Sequence, residues 1–329
     1  MISPVQQRLL RLLADGELHS GTALGERVGI SRAAVWKQIQ SLQAEGIEVV
    51  AELRHGYRLP AAVSLLDAED ILEQLEGSIR ERLPSVQALW QCDSTNSELM
   101  RQLHQGAEPG SVLLAEYQSG GRGRRGKSWI SPFGSSLNLS LLWRFSGGVM
   151  ALSGLGMVVG IAMAHAVQAV GIEGAMLKWP NDLHLGDHKL GGVLIELEGE
   201  SEGPTDIVIG VGINVALSAQ AGGVIDQPWT SLSHYLNPTP TRNQLAAALL
   251  NQLTPRLDRF EQSGLAALMP EWEALDRVRG STVVLQQESG ATIGVARGIN
   301  ALGALQLECE GAIQSHYSGD LSLRLHPSG

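Results

Sequence analysis

The sequence predicts an α+β protein in three parts, and three observations carry that reading. Residues 4–43 hold three short amphipathic helical runs joined by tight turns. Between 86 and 275 strands and helices mix without a regular parallel-sheet alternation. After Asp276 the pattern becomes five short β-runs with glycine at the turns. The boundaries expected from these shifts are 1–60, 61–275 and 276–329. A length of 329 residues suits two or three domains with ample core. The 43% hydrophobic and 18% charged content excludes a disordered chain.

Taken in order, residues 4–14 form an amphipathic helix with Pro4 near its start. A second short helix follows His19, Gly29-Ile30 makes a turn, and Ser31 caps a third helix over 32–43. Two helices across a short Gly-containing turn are a helix-turn-helix pattern. Ser31, Arg32, Trp36, Lys37 and Gln38 lie on the second of these, and 47–50 with 57–59 flank Arg54-His55-Gly56 as a hairpin wing. Cations on both elements suit phosphate and base edges, which makes DNA the expected partner. A three-helix protein-binding module is the alternative.

A short linker leads to Asp67, which caps a helix expected to reach about Glu76. Strands are expected at 86–91, 111–117, 136–143, 183–185, 190–197 and 206–215, with a further strand at 176–178 ending in a turn at Pro180-Asn181-Asp182. Helices are expected at 96–104, 241–262 and 265–275. Met150–Val170 is apolar and near membrane-spanning length, but glycines, His165 and Gln168 interrupt it, so it reads as a buried helix over a sheet and no membrane partner is expected. The N-terminus shows no secretory signal pattern, which points to the cytoplasm. Cys92 and Cys309 stand far apart, without metal or redox spacing.

The charge is uneven. Residues 1–60 carry seven Lys/Arg and six Asp/Glu, whereas the whole chain is at -10. From Tyr117 to Ile172 there is no acidic residue, and inside that window Arg122, Arg124, Arg125 and Lys127 alternate with Gly121, Gly123 and Gly126. Glycine lets backbone approach a ligand closely, and arginine offers planar forks to phosphate or carboxylate. A flexible loop closing on an anion is the simplest reading, with a nucleic-acid patch or a solvated loop as alternatives. The three glycines match G-x-G-x-x-G, but Ser-Trp-Ile-Ser-Pro132 opens no helix and no acid follows for a ribose, so a dinucleotide fold is rejected.

Only four lysines occur against twenty arginines, and Lys127, Lys178 and Lys189 all sit in the central region near turns or strand ends. Asp182 beside Asn181 could hold a hard cation such as Mg²⁺ together with substrate phosphates. An ion pair between Lys178 and Asp182 across the turn is the alternative. For Ser94, Thr95 and Asn96 the plain reading is helix capping. Trp179 reads as core.

Five segments now stand in one order: Asp-Ser-Thr-Asn96, Gly-Arg-Gly-Arg-Arg-Gly126 with Trp129, Lys-Trp-Pro-Asn-Asp182, Lys-Leu-Gly-Gly192 and Gly-Val-Gly-Ile-Asn214. With them the chain resembles, over essentially its full length, the bifunctional biotin–protein ligases that also repress the biotin operon. That resemblance implies a winged helix-turn-helix, a central mixed ligase domain of class II synthetase-like type and a small C-terminal SH3-like β-barrel. It implies two steps, biotin with ATP and Mg²⁺ giving biotinoyl-5′-AMP, then transfer to a lysine of the biotin carboxyl carrier protein of acetyl-CoA carboxylase. It also implies a homodimer, formed on adenylate binding, at the operator DNA of biotin synthesis genes. A biotin-sensing regulator without efficient ligase activity is the alternative.

Carried over position by position, Ser94, Thr95, Asn96 and Gln118 resemble the polar groups holding biotin, with backbone from Arg122 to Arg124. Arg124 resembles the arginine retaining the adenylate, and Arg125, Trp129 and Asn214 belong to the matched motifs. Lys189 resembles a ligand-contacting lysine beside Gly191 and Gly192, and Lys178 the one at the reacting carboxylate and phosphate. Asp182 is the candidate for metal or incoming amine. Trp229 resembles an aromatic packing on adenine, and Arg324 an arginine assisting ATP or the acceptor. Residues 118–130 and 219–231 are expected to be mobile without ligand.

Overall fold

The computed structural model describes residues 2–198, 203–287, 290–317 and 322–325, the last four as backbone only. At the N-terminus α1 (Pro4–Leu13), α2 (Gly21–Val28) and α3 (Arg32–Ala44) start on Ser3, Ser20 and Ser31, whose side chains accept N–H bonds from the first turn. Ser3 and Gln6 complete a reciprocal capping box. Gly29 leaves α2 at φ 80°, a left-handed cap that glycine adopts without strain. Leu9, Leu10, Leu13, Leu24, Val35 and Ile39 close one core, and β1 (Val50–Glu52) pairs with β2 (Gly56–Arg58) as the expected wing.

The helix begun at Asp67, α4 (Ala68–Glu73), ends three residues earlier than expected, and α5 (Gly77–Arg80) follows separately. Asn251 explains the break: its amide donates to Gln74 O and accepts from Glu76 N, taking backbone groups a continuing helix would use. Next come β3 (Val86–Leu89), α6 (Thr95–Leu103), β4 (Val112–Ala115), β5 (Ser136–Phe145) and α7 (Leu155–Ala169). They are followed by β6 (Ala175–Lys178), β7 (Asp182–Leu185), β8 (His188–Glu198), β9 (Thr205–Asn214), the short α8 (Ala219–Gly222) and α9 (Arg242–Ser263). The strand expected over 86–91 stops at Leu89 because Trp90 turns out to stack on Phe133, ring centroids 6.3 Å apart. The helix expected over 265–275 is a 3₁₀ turn (Leu265–Leu268) and then α10 (Met269–Leu275), with Pro270 in its first turn, where its missing N–H costs nothing.

Seven central strands form one mixed sheet in the order β3-β4-β5-β9-β8-β7-β6, antiparallel except for β3 with β4. Val149–Ala169 is long and apolar enough to cross a membrane by length and composition. Here it is the core helix: Met157, Val158, Ile161, Ala162 and Met163 are buried in the cluster that also holds Leu137, Leu139, Ile209 and Leu249. The C-terminal sheet runs β13 (Ala312–His316), β12 (Leu305–Cys309), β11 (Gly290–Ile299), β10 (Thr282–Gln287), β14 (Ser322–Leu325), all antiparallel, five strands as expected.

Candidate functional site

Strand alternation gives the central sheet two chemically different faces. Leu137, Leu139 and Leu141 of β5, with Ile209, Val211 and Ile213 of β9, point into the apolar core under α7. The intervening residues are small or polar. In register, Ser140 faces Gly210, Asn138 faces Gly212 and Ser136 faces Asn214. The middle row continues across the sheet, Gly212 opposite Gly192, Gly192 opposite Asp182 and Asp182 opposite Lys178. Five strands thus place Asn138, two glycines, Asp182 and Lys178 in one line on one face.

The glycines are occupied spaces. A Cβ at Gly210 would stand 2.3 Å from Asn96 Oδ1, and one at Gly212 would stand 2.6 Å from the Trp129 ring. Trp129 therefore occupies the space above Gly212, and its Nε1 donates to Asn138 Oδ1 at 3.0 Å. The cationic loop is fastened at that point, because Trp129 N donates to Gly121 O at 2.9 Å.

Ser94, Thr95 and Asn96 do more than cap α6. The Ser94 side chain makes no capping bond. Thr95 N donates to Gln118 Oε1 at 2.7 Å, and Ser140 Oγ lies 2.8 Å from Thr95 Oγ1 and 2.6 Å from Asn96 Oδ1. Asn96 Nδ2 donates to Glu196 Oε2 at 2.7 Å, and Arg122 reaches the other oxygen of the same carboxylate at 3.0 Å. Ser94, Thr95, Asn96 and Gln118 are all buried. This is a buried polar cluster, bonded through Thr95, Asn96, Gln118 Oε1 and Ser140, of the kind that fixes orientation. Its backbone support is Cys92, whose bridge to Gln118 ties the two loops. Burial pushes the Cys92 thiol up to about 12, helped by the neighbouring Asp93 and Glu98 carboxylates. It is therefore protonated at all ordinary pH and a poor nucleophile. Iodoacetamide at pH 8 is expected to leave Cys92 unmodified in the native protein and to modify it after denaturation, read by peptide mass; native modification would refute the packing.

At the other end, Lys189 Nζ lies 2.6 Å from Asp182 Oδ1. Lys178 stands directly opposite Asp182 across the strand pair, so both lysines flank that carboxylate. Arg124 donates to Asn181 Oδ1 at 3.3 Å, so the loop spans to the Lys178–Asp182 turn. Arg125 takes φ 57° within that loop, and its side chain is exposed. Asp182 is a single carboxylate neutralised by an ammonium, and among the described residues no group of three or more His, Cys, Asp or Glu could hold a metal. A divalent cation at this one carboxylate would take its remaining ligands from substrate phosphates and water.

The second loop joins the same end. Lys189 N donates to Pro228 O at 3.0 Å and Thr230 N to Lys189 O at 2.9 Å, a bridge that sets Trp229 beside Lys189. Asn214 Nδ2 holds the loop through Thr230 O at 3.0 Å. Gly191 fits against Gly212 O and Met163, where a Cβ would clash at 2.6 Å. Arg324 belongs to β14, opposite Val284, and its side chain lies outside the described residues.

Sequence reading missed Asn138, Ser140, Glu196 and His184, and quoted Gly210 and Gly212 within a motif without giving them a role. The first two had a visible signal: Ser136, Asn138 and Ser140 alternate with leucines in one strand, a polar face opposite an apolar one. His184 is buried beside Asp182, Lys178 and Lys189. Burial pushes it down to about 4, and the Lys178, Arg277 and Lys189 charges add to that against Asp182, so its ring is neutral. On the N-terminal unit Arg32, Trp36 and Lys37 are exposed along α3, and Arg54 is exposed at the wing tip with φ 68°. Ser31 is exposed too, with its hydroxyl accepting from Ala34 N at 3.2 Å.

The Biotin/lipoate A/B protein ligase family matches residues 89–214, an HTH domain 5–58 and a Biotin protein ligase C terminal domain 280–324. The chain is 43% identical over 320 residues to the bifunctional ligase/repressor BirA of Escherichia coli (strain K12), covering 97% of each. It is 43% identical over 316 residues to the corresponding protein of Salmonella typhimurium, covering 96% of each. Among solved structures it matches the biotin protein ligase from Aquifex aeolicus in complex with biotin and ATP, with TM-score 0.63 and 26% identity, over 74% of this chain and 100% of that one.

Proposed function

The chain belongs to the family of bifunctional biotin ligase/repressors, and from that premise we propose the roles its site residues play. It is a biotin–protein ligase with a DNA-binding repressor domain, and biotin and ATP are its ligands. The observation that carries the residue assignment is the cross-strand line from Asn138 to Lys178, roofed at one end by Trp129 and the cationic loop.

Biotin lies against the Trp129 ring that covers Gly212, its polar head toward Ser94, Thr95, Asn96 and Gln118 and its carboxylate toward Lys178. That carboxylate attacks the α-phosphorus of ATP, the bond to the bridging oxygen breaks, and pyrophosphate leaves. Attack of an anion on an anion needs fixed positive charge, which Lys178, Lys189 and Arg124 supply. Magnesium enters as part of the nucleotide substrate. Trp229, beside Lys189, packs on the adenine, and the loop over 121–129 shields the mixed anhydride from water. In the second step the lysine amine of a biotin carboxyl carrier protein attacks the acyl carbon, AMP leaves, and Asp182 receives the incoming amine. Arg324 assists ATP or the acceptor.

Arg32, Trp36 and Lys37 on α3 and Arg54 on the wing meet the operator of biotin synthesis genes, and two copies joined after adenylate formation read two half-sites. The work takes place in the cytoplasm, where ATP and the carrier are found. Incubation with ATP, Mg²⁺, biotin and a carrier domain is expected to add the mass of one biotinoyl group to the carrier, only when ATP is present. Biotin binding without any mass gain would move the assignment to a sensor. Adenylate-loaded protein is expected to lose most of its operator affinity when one half-site is deleted; equal affinity for both DNAs would remove the dimeric reading.

A further inference from the structure

We propose that Arg277, at the junction with the C-terminal sheet, is a positioning residue for adenylate formation, holding the β7–β8 turn so that Lys189 stays on the ligand face. The inference rests on the assignment of Lys189 and Asp182 to the adenylation site.

Lys189 is on that face because of an irregularity. Gly192 faces the ligand side and Gly191 the core. Strict alternation would then turn residue 190 outward and bury residue 189. The register between β7 and β8 shifts between Leu183 and His184: Leu183 pairs with Gly191, but His184 pairs with Lys189. The extra residue, Leu190, is fully buried, and Lys189 is returned to the side of Asp182. A strand end whose side chain depends on a bulge is free to slip unless something fixes the turn beyond it.

Arg277 is that fixture. Its backbone N–H donates to Leu177 O at 2.9 Å, next to Lys178, and Asp276 bridges Leu177 in parallel. Its guanidinium then crosses two strands. Nη1 donates to Gly186 O at 2.5 Å and to His184 Nδ1 at 3.0 Å, while Nη2 pairs with the Asp187 carboxylate. Three acceptors, spaced along the turn from His184 to Asp187, meet one planar fork, a geometry lysine does not reproduce. With its proton on Nε2, the His184 ring accepts the Arg277 bond at Nδ1, within reach of the Asp182 charge. One side chain therefore links the start of the C-terminal sheet to Lys178 on one flank and to the Asp182–Lys189 pair on the other.

The test uses the full chain and biotin-dependent pyrophosphate–ATP exchange, which reads adenylation alone. Arg277→Ala is expected to lower kcat/KM for ATP by about 10- to 100-fold, as a misplaced positioning group does. Biotin affinity by equilibrium dialysis and the thermal midpoint should move little, since the biotin end of the site lies at Thr95 and Gln118. Arg277→Lys should recover only part of the loss. His184→Phe keeps a ring and removes the acceptor; it should cause a loss of its own, and adding it to Arg277→Ala should cost less than the two losses multiplied. Independent multiplication, or a parallel drop in biotin binding and melting temperature, would reduce Arg277 to a general structural contact and overturn the proposal. Lys189→Ala separates the two levels. If it leaves exchange unchanged, the site assignment itself fails; if it slows exchange and Arg277→Ala does not, only the positioning role fails.

Discussion

Lys178→Ala is expected to slow biotinoyl-adenylate formation about 10²- to 10³-fold, the loss typical of one preorganised charge at a developing anion. Lys178 ends the cross-strand line, directly opposite Asp182 and within the field that also acts on His184. Its rigidity comes from β6, whose Leu177 is buried and whose backbone accepts from Arg277. The effect should fall on kcat for adenylation, because charge stabilisation of the transition state changes rate more than ground-state affinity. Transfer from preformed biotinoyl-AMP to the carrier should suffer less, since pyrophosphate has already left. Single-turnover measurement of both steps checks this. A variant that adenylates at the parental rate, or one that loses only biotin affinity, would remove Lys178 from the chemistry.

Glu116→Ala is expected to be the most destabilising single carboxylate replacement, by about 3–5 kcal/mol, because it strands a buried cation. Arg242 is 1% exposed and Glu116 is 3% exposed. Arg242 Nη2 pairs with Glu116 Oε2 and donates to Ser64 O at 2.7 Å, while Glu116 Oε1 accepts from Leu66 N at 2.6 Å. Arg242 Nη1 has no hydrogen-bond partner even with Glu116 present. Removing the acid leaves the guanidinium without its counter-charge and frees the linker backbone at once. Guanidinium chloride unfolding gives the magnitude. The double variant Glu116→Ala with Arg242→Met should be more stable than Glu116→Ala alone, since the stranded charge is then gone. A single variant as stable as the parent would show that water reaches the pair.

Much of the fold was legible because its signals are local. Serine caps, the glycine after α2, and the switch to short β-runs after Asp276 each report on a few neighbouring residues. Helix breaks set by distant partners were not legible: nothing near Glu73 announces that Asn251 will take the Gln74 and Glu76 backbone. The site shows the same division. Cations and glycines of the loop stand out by composition, and Lys178, Asp182 and Lys189 by motif. Asn138, Gly210 and Gly212 become site residues only through cross-strand register, a relation between segments some seventy positions apart. The approach of Lys189 to Asp182 follows from the bulge at Leu190, which strict alternation cannot anticipate. Arg277 was invisible for the same reason, since its meaning lies in the turn it grips.

The glycines on the ligand face, Gly192, Gly210 and Gly212, have a consequence for how this protein could be altered. A floor made of hydrogen atoms is a surface defined by subtraction, and every substitution there can only raise it. At Gly210 and Gly212 the room is already taken, by Asn96 and Trp129. Selectivity for a changed acid can therefore be narrowed from below but not widened. Variants that accept bulkier biotin analogues should arise in the walls, at Trp129, Arg122 or the 219–231 segment, where a large side chain can be traded for a smaller one. A library randomised at the floor would return mostly inactive proteins, and one randomised at the walls would return new substrates.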